Sequence, residues 1–89
     1  MSTVLLPRSL LALFPGVERR HAVVPGTVAS VIDGLETEIP GIRDRPVQVG
    51  PRIRPHINVF VEGQPADLAT AVGPSSVMHV IPAVSGGAA

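Results

Sequence analysis

The chain contains no cysteine, lysine, tryptophan or tyrosine, and each of these absences excludes a class of function. Without cysteine there can be no disulfide framework, no thiolate metal site, no iron–sulfur cluster and no cysteine nucleophile. Any sulfur that the protein handles must therefore come from another molecule. Because two phenylalanines are the only aromatic residues, the surface offers no stacking platform for bases, and the core must be aliphatic.

Basic and acidic residues are balanced, since seven arginines accompany seven aspartates and glutamates and the formal net charge is zero. This balance gives no indication of a nucleic acid or an anionic membrane as partner. The apolar run at residues 10–14 lies between two prolines and is too short for a signal peptide or a membrane span. We expect one neutral cytoplasmic domain, monomeric when free.

Hydrophobic periodicity predicts a hairpin followed by a helix. Residues 3–6 and 17–24 are typical of two antiparallel strands, the first continuing irregularly toward Leu10 and the second lying at a sheet edge. Thr27 is a typical helix N-cap, and Pro40-Gly41 would end the helix. Apolar residues recur between them at helical spacing, at Val28, Val31, Ile32, Leu35 and Ile39.

The second half of the chain predicts further strands. Residues 42–55 are rich in arginine and proline, and we expect an exposed connection with a mobile middle. Residues 56–61 alternate, with Ile57, Val59 and Val61 on one face, and Glu62-Gly63 forms a turn. Residues 68–72 are predicted as a single helical turn before a last strand at 77–81. The fold class is therefore α+β, a mixed sheet of about four to five strands on one main helix, over residues 1–82, with a flexible tail at 83–89.

The last strand runs into Pro82 and then the tail Ala83-Val84-Ser85-Gly86-Gly87-Ala88-Ala89. This ending, the Gly26-Thr27-Val28 helix entry, the Ile57-Asn58-Val59-Phe60-Val61 strand and the segment Leu68-Ala69-Thr70-Ala71 together resemble the MoaD/ThiS family of ubiquitin-like sulfur carriers. The likeness is greatest to its CysO branch, which serves cysteine synthesis. It spans residues 3–87 and implies the β-grasp fold.

The resemblance implies a specific role for the tail. In that family an E1-like enzyme uses ATP to adenylate the terminal glycine carboxylate, a sulfur donor converts the adenylate to a thiocarboxylate, and a synthase accepts the sulfur. Gly87 would carry the sulfur, and Ser85-Gly86 would be threaded through a narrow channel, because glycine has no Cβ. Since Ala88-Ala89 follows, a JAMM-type zinc metalloprotease would have to cut between Gly87 and Ala88. Alternatively, Ala88-Ala89 is an added, non-native ending.

The alternation of side chains between the two faces of the predicted strands also indicates a partner interface. We expect Phe60, His79 and Ile81 on the sheet face away from the helix, leading toward Val84 in the tail. In related carriers this face docks the adenylating enzyme, although single exposed apolar residues are normal. Arg52 and Arg54 are weaker docking candidates.

No catalytic or cofactor site of the chain's own is expected. Its histidines, His21, His56 and His79, lack a metal-binding spacing, and there is no glycine-rich phosphate loop. ATP would be bound by the activating partner alone.

Several alternatives stay open. The sulfur could go to molybdopterin or to a secondary metabolite instead of cysteine. The chain could also be a ubiquitin-like modifier joined to lysines through Gly87, or an interaction module whose tail is incidental.

Overall fold

A computed structural model describes residues 1–45, 47–48, 52–54 and 57–82. The chain forms nine strands, two α-helices and one 3₁₀ turn within these ranges. In chain order they are β1 (Ser2–Leu5), α1 (Arg8–Leu11), β2 (Arg20–Val23), β3 (Gly26–Thr27), α2 (Val28–Glu38), the 3₁₀ turn (Ile42–Asp44), β4 (Val47–Gln48), β5 (Arg52–Ile53), β6 (Ile57–Val61), β7 (Gln64–Ala66), β8 (Ala71–Val72) and β9 (Val77–Pro82).

The main sheet has five strands in the order β2-β1-β9-β6-β7. The strand β1 pairs antiparallel with β2 and parallel with β9, so the sheet is mixed. The strands β3 and β8 form one small antiparallel pair, and β4 and β5 form another. The prediction of a mixed sheet of four to five strands on one main helix is confirmed, and β2 does lie at an edge.

The main helix begins as its sequence predicts. The Thr27 hydroxyl accepts a hydrogen bond from the Ser30 amide at 3.2 Å, and the Ser30 hydroxyl accepts one from the Thr27 amide at 2.9 Å. This reciprocal capping satisfies two amides that the helix itself leaves unpaired. Gly26 lies just before it, and a Cβ at this position would displace the Ser30 hydroxyl from its capping hydrogen bond. The apolar face of α2 is buried against the sheet at Val28, Val31, Ile32 and Leu35.

The core between α2 and the sheet is aliphatic, as predicted. Val4 and Leu6 of the N-terminal segment and Met78 and Val80 of β9 are almost completely buried. Val59 of β6, on the other side of β9 from β1, is buried as well. No aromatic ring belongs to the buried cluster of the described residues, although Phe14 packs partly against it. None of the helices in the described ranges has the length and hydrophobicity needed to cross a membrane.

Two sequence predictions in the first half are wrong. The chain after Leu5 does not continue as an irregular strand, because Pro7 precedes the short helix α1, which buries Leu10. Nor is the start of segment 42–55 an exposed connection, since Ile42 is 2% exposed. Part of the remaining segment forms the β4–β5 hairpin, and its predicted mobile middle lies largely outside the described residues.

A third prediction is wrong at residues 68–72, which form a hydrogen-bonded turn, closed by the Thr70 amide on the Asp67 carbonyl oxygen at 3.2 Å, and then the strand β8 instead of one turn of helix. The Asp67 carboxylate accepts a hydrogen bond from the Ala69 amide at 2.9 Å, a local bond that competes with helix formation. Ala71 and Val72 then pair with Thr27 and Gly26. The strand β7 was not predicted at all.

Candidate functional site

The strand that leads into the tail lies at the centre of the main sheet. β9 pairs with β1 on one side and with β6 on the other. Its last residue, Pro82, is the last described residue of the chain and lies opposite Ile57, at the start of β6. The base of the tail is therefore fixed at the end of the sheet where β1 ends and β6 begins.

The predicted tail residues lie outside the described part of the chain. They are Val84, Ser85, Gly86, Gly87 and Ala88. Their roles as interface, channel segment, sulfur-carrying residue and cleavage site therefore stay predictions.

The strand register arranges the outer face of the sheet in rows. His79 of β9 lies between Leu5 of β1 and Phe60 of β6, and Phe60 in turn lies opposite Pro65 of β7. On the inner side of β9, Met78 and Val80 are 0% and 3% exposed, whereas Ile81 is 41% exposed. The predicted orientation of Phe60, His79 and Ile81 away from the helix is thus confirmed, while their role in docking is a prediction.

These three side chains meet at an open groove. Phe60, His79, Ile81 and Gly63 line a depression of about 250 Å³ on the outer face. Phe60 and His79 are half-buried in its walls, and Ile81 protrudes toward the base of the tail. The groove can receive an apolar side chain of a partner, because three of its four lining residues present carbon-rich surface or no side chain at all.

Gly63 was missed as a groove residue, although the turn that contains it was predicted. Glu62 and Gly63 have φ angles of 51° and 77°, the left-handed geometry of a two-residue hairpin turn. The Glu62 carboxylate accepts a hydrogen bond from the Val77 amide at 3.2 Å, which directs it to the backbone. The predicted Glu62-Gly63 turn was the feature of the sequence that could have identified Gly63. A two-residue turn directly after β6 places its glycine close to Phe60.

His21 and Glu36 have structural roles. His21 is bonded through Nε2 to the Glu18 carbonyl oxygen at 2.7 Å. Hydrogen bonds from the amides of Gly41 and Arg43 hold the pKa of the Glu36 carboxyl below its usual value. Within the described ranges, His, Asp and Glu do not come together in a group that could hold a metal ion.

Neither a protein-family model nor a curated protein sequence matches the chain. Solved structures do match it over nearly its whole length. A chain of the Amycolatopsis orientalis BexX/CysO complex is 28% identical, with a TM-score of 0.87 over 98% of this chain and 100% of that one. Mycobacterium tuberculosis CysO, an antigen, is 24% identical, with a TM-score of 0.85 over 94% of this chain and 100% of that one.

SAMP1 from Haloferax volcanii is 27% identical, with a TM-score of 0.75 over 97% of this chain and 98% of that one. Similarity over the full length of such small proteins means that the whole element order is shared, including the central C-terminal strand. The chain is therefore a ubiquitin-like β-grasp protein, and the resemblance to the MoaD/ThiS family of sulfur carriers that its sequence predicts is confirmed.

Proposed function

We propose that this protein is a sulfur carrier, a co-substrate that delivers sulfur from its own C-terminus. The observation that carries the proposal is the continuation of the central strand β9 through Pro82 into a tail that contains Ser85-Gly86-Gly87. A strand bonded on both sides gives the tail a rigid base. Because the chain has no cysteine, the C-terminal carboxylate is the group on which it could carry sulfur covalently.

The proposed chemistry begins with hydrolysis of the peptide bond between Gly87 and Ala88. A carboxylate oxygen of Gly87 then attacks the α-phosphorus of ATP on an E1-like enzyme, and pyrophosphate leaves. A hydrosulfide ion supplied by a donor next attacks the acyl carbon and displaces AMP, and loss of the sulfur-bound proton leaves a thiocarboxylate. The absence of a Cβ at Gly86 and Gly87 allows the tail to enter a narrow channel and leaves the acyl carbon unhindered.

The proposed partners are an E1-like adenylating enzyme, a sulfur-accepting synthase of the cysteine synthase type and a JAMM-type protease. The similarity to CysO supports cysteine biosynthesis as the destination of the sulfur. The Amycolatopsis orientalis structure also contains CysO together with another protein, BexX, which supports direct contact between such carriers and protein partners. The groove lined by Phe60, His79 and Ile81 is the proposed docking surface for the adenylating enzyme.

A second function is favoured by a separate observation. SAMP1, 27% identical to this chain, is by name a small archaeal modifier protein. A modifier would use the same adenylate of Gly87 but would end as an isopeptide bond to a lysine of another protein. The lack of lysine in this chain excludes only chains linked to itself.

The test is the intact mass of the protein purified from its own cells under conditions that prevent thiocarboxylate hydrolysis. The sulfur-carrier proposal expects loss of Ala88-Ala89 and replacement of one oxygen by sulfur. A matched variant, Gly87→Val, should keep the fold and lose the sulfur. A ladder of heavier conjugates that requires Gly87 would instead support the modifier. A full-length, unmodified chain under high sulfur demand would contradict both proposals.

A further inference from the structure

The arginines of this neutral chain gather at one end of the sheet, although they are widely separated in the sequence. The register places them on both sides of the strand that leads into the tail. The residues concerned are Arg8, Arg19 and Arg20 on one side and Arg45 and Arg54 on the other.

The first group lies beside the end of β1. Arg20 is paired with Leu5, and the Leu6 amide donates a hydrogen bond to the Arg19 carbonyl oxygen at 2.8 Å. Leu5 lies beside His79 in the parallel pair of β1 and β9. Arg8 comes three residues after Leu5, and Pro82 comes three residues after His79. Because β1 and β9 are parallel, the chain after β1 and the tail after β9 leave the sheet at the same end.

The second group lies beside the start of β6. The Ile57 amide donates to the Arg54 carbonyl oxygen at 3.0 Å, and Ile57 lies opposite Pro82. The Arg54 side chain donates through Nε to the Asp44 carbonyl oxygen at 2.9 Å, which brings Arg45 to the same place. β2 and β6 are separated in the sheet by β1 and β9, which corresponds to about 14 Å at ordinary strand spacing.

Most of these positive charges are available to a partner. Arg8, Arg19, Arg20 and Arg45 are exposed. In the described part of the chain, the ion pair that forms joins Arg43 to Asp33 at 2.8 Å and uses none of these four. These four residues are called the arginine cluster below.

The acidic residues form no ion pair with the cluster in the described part of the chain. Glu18 and Asp44 lie beside it in the sequence, Asp33 is paired with Arg43, and the Glu36 carboxylate accepts hydrogen bonds from the Gly41 and Arg43 amides. Glu62 lies at the opposite end of the sheet, in the turn after β6. The Glu62 amide donates to the carbonyl oxygen of Val77, at the start of β9, which fixes that turn at the far end. The exposed arginines thus flank the base of the tail on both sides, and within the described ranges no carboxylate is paired with any of the four.

We infer that the arginine cluster docks an acidic protein surface, the rim of the channel through which the adenylating enzyme admits the tail. This inference rests on the proposed function and adds a partner chemistry to it. Guanidinium groups bind carboxylates through two parallel hydrogen bonds and are more weakly hydrated than ammonium groups, which suits them to protein interfaces. Nucleic acid is the less favoured occupant, because the chain has no tryptophan or tyrosine on which bases could stack.

The test combines kinetics and binding. The chain ending at Gly87 is offered to the E1-like enzyme from the same genome, and ATP–pyrophosphate exchange is measured from about 0.05 to about 0.5 M NaCl, over which the Debye length falls from about 14 to about 4 Å. The KM for the carrier should rise about tenfold with salt, and the triple variant Arg19→Gln/Arg20→Gln/Arg45→Gln should raise it about tenfold at low salt, with kcat unchanged. Direct binding of the two proteins without ATP should weaken in parallel.

The variant Arg43→Gln is the control for each of the three substitutions made singly, because it also removes one positive charge, but from a side chain already paired with Asp33. Its KM should change less than about twofold, and circular dichroism should show that all variants are folded. A KM that is independent of salt, or an equal effect of Arg43→Gln, would overturn the inference. The inference would also be overturned if a labelled single-stranded oligonucleotide bound through the arginine cluster while ATP–pyrophosphate exchange did not depend on the cluster.

Failure of the proposed function has a different signature. If the wild-type chain gives no exchange at any salt concentration yet binds the enzyme through the cluster, the adenylation proposal fails and the docking inference is supported. If it neither reacts nor binds, both fail.

Discussion

Replacing Ile42 by alanine should remove a large part of the stability of this domain. Its side chain is 2% exposed and belongs to the same core as Leu35 and Ile39 of the preceding helix segment. The backbone on both sides is held by the Glu36 carboxylate, which accepts hydrogen bonds from the Gly41 amide at 2.7 Å and the Arg43 amide at 2.9 Å. Because this clamp limits collapse around the cavity, we expect a loss of about 3 kcal/mol, within the usual range of about 2–5 kcal/mol for such truncations.

The loss is large against the total, since a domain of 89 residues typically has roughly 4–13 kcal/mol of stability. Urea unfolding is followed by far-ultraviolet circular dichroism, because the chain has no tryptophan or tyrosine for fluorescence. With a slope near 1 kcal/mol/M, the midpoint should fall by about 3 M. Ile42→Val, which costs about 1 kcal/mol, keeps the test measurable if the alanine variant does not fold.

The matched control is Ile81→Ala, the same substitution at a side chain that is 41% exposed, which should cost less than about 1 kcal/mol. If Ile42→Ala and Ile81→Ala shift the midpoint equally, the segment after the helix does not seal the core.

Other positions give smaller, independent tests. Gly34→Ala should stabilise the domain by about 0.5–1 kcal/mol by urea unfolding, because an added Cβ in this helix meets nothing within 4 Å. Ile81→Asp should lower the free energy of unfolding by about 1 kcal/mol, which leaves the domain folded, but should raise the carrier KM in exchange assays about tenfold, by placing a charge beside the apolar groove. The lowered pKa of Glu36 means that its contribution is fully present above the ordinary value of 4.5 and is lost as pH falls through the folded pKa. The stability difference between wild type and Glu36→Gln, measured by urea unfolding at several pH values, should therefore shrink below about pH 4.5.

The elements that could be predicted from the sequence are those in which the spacing of apolar residues within the segment matches the residues that are buried. In α2, capping residues and apolar spacing both indicate one helix, and Val28, Val31 and Leu35 are buried accordingly. In β6, alternation alone gives the two faces, with Val59 buried and Asn58 exposed.

The elements that were missed depend on distant partners. Ala71 and Val72 become a strand because they meet Gly26 and Thr27, far away in the chain, and this pairing overrides a local preference for a turn of helix. Ile42 is an isolated apolar residue among arginines and prolines. Its burial depends on where α2 ends. The spacing of apolar residues within residues 42–55 does not reveal that position.

The same division holds for the candidate site. Phe60, His79 and Ile81 could be placed on one face from alternation within two strands. Leu5 and Pro65 join that face only through the register with β1 and β7, and the arginine cluster likewise requires the strand order. The role of Gly87 was inferred from a resemblance, and it is chemical experiments that test it.

Tail length provides a last prediction of the proposed function, in which Gly87 must reach the ATP held by the adenylating enzyme while the base of the tail is fixed in the sheet. Gly87 follows Pro82 by five residues, so an extended tail carries the acyl carbon at most about 18 Å from the end of β9. Deleting Ser85 shortens this reach by about 3.3 Å without touching the sheet, the groove or the arginine cluster. Since a misplacement of about 1 Å can cost a reaction about a hundredfold, exchange should fall below detection while binding to the enzyme is unchanged. The substitution Ser85→Ala, which keeps the length, should retain exchange within about threefold, and retention of exchange by the deletion variant would refute the argument from reach.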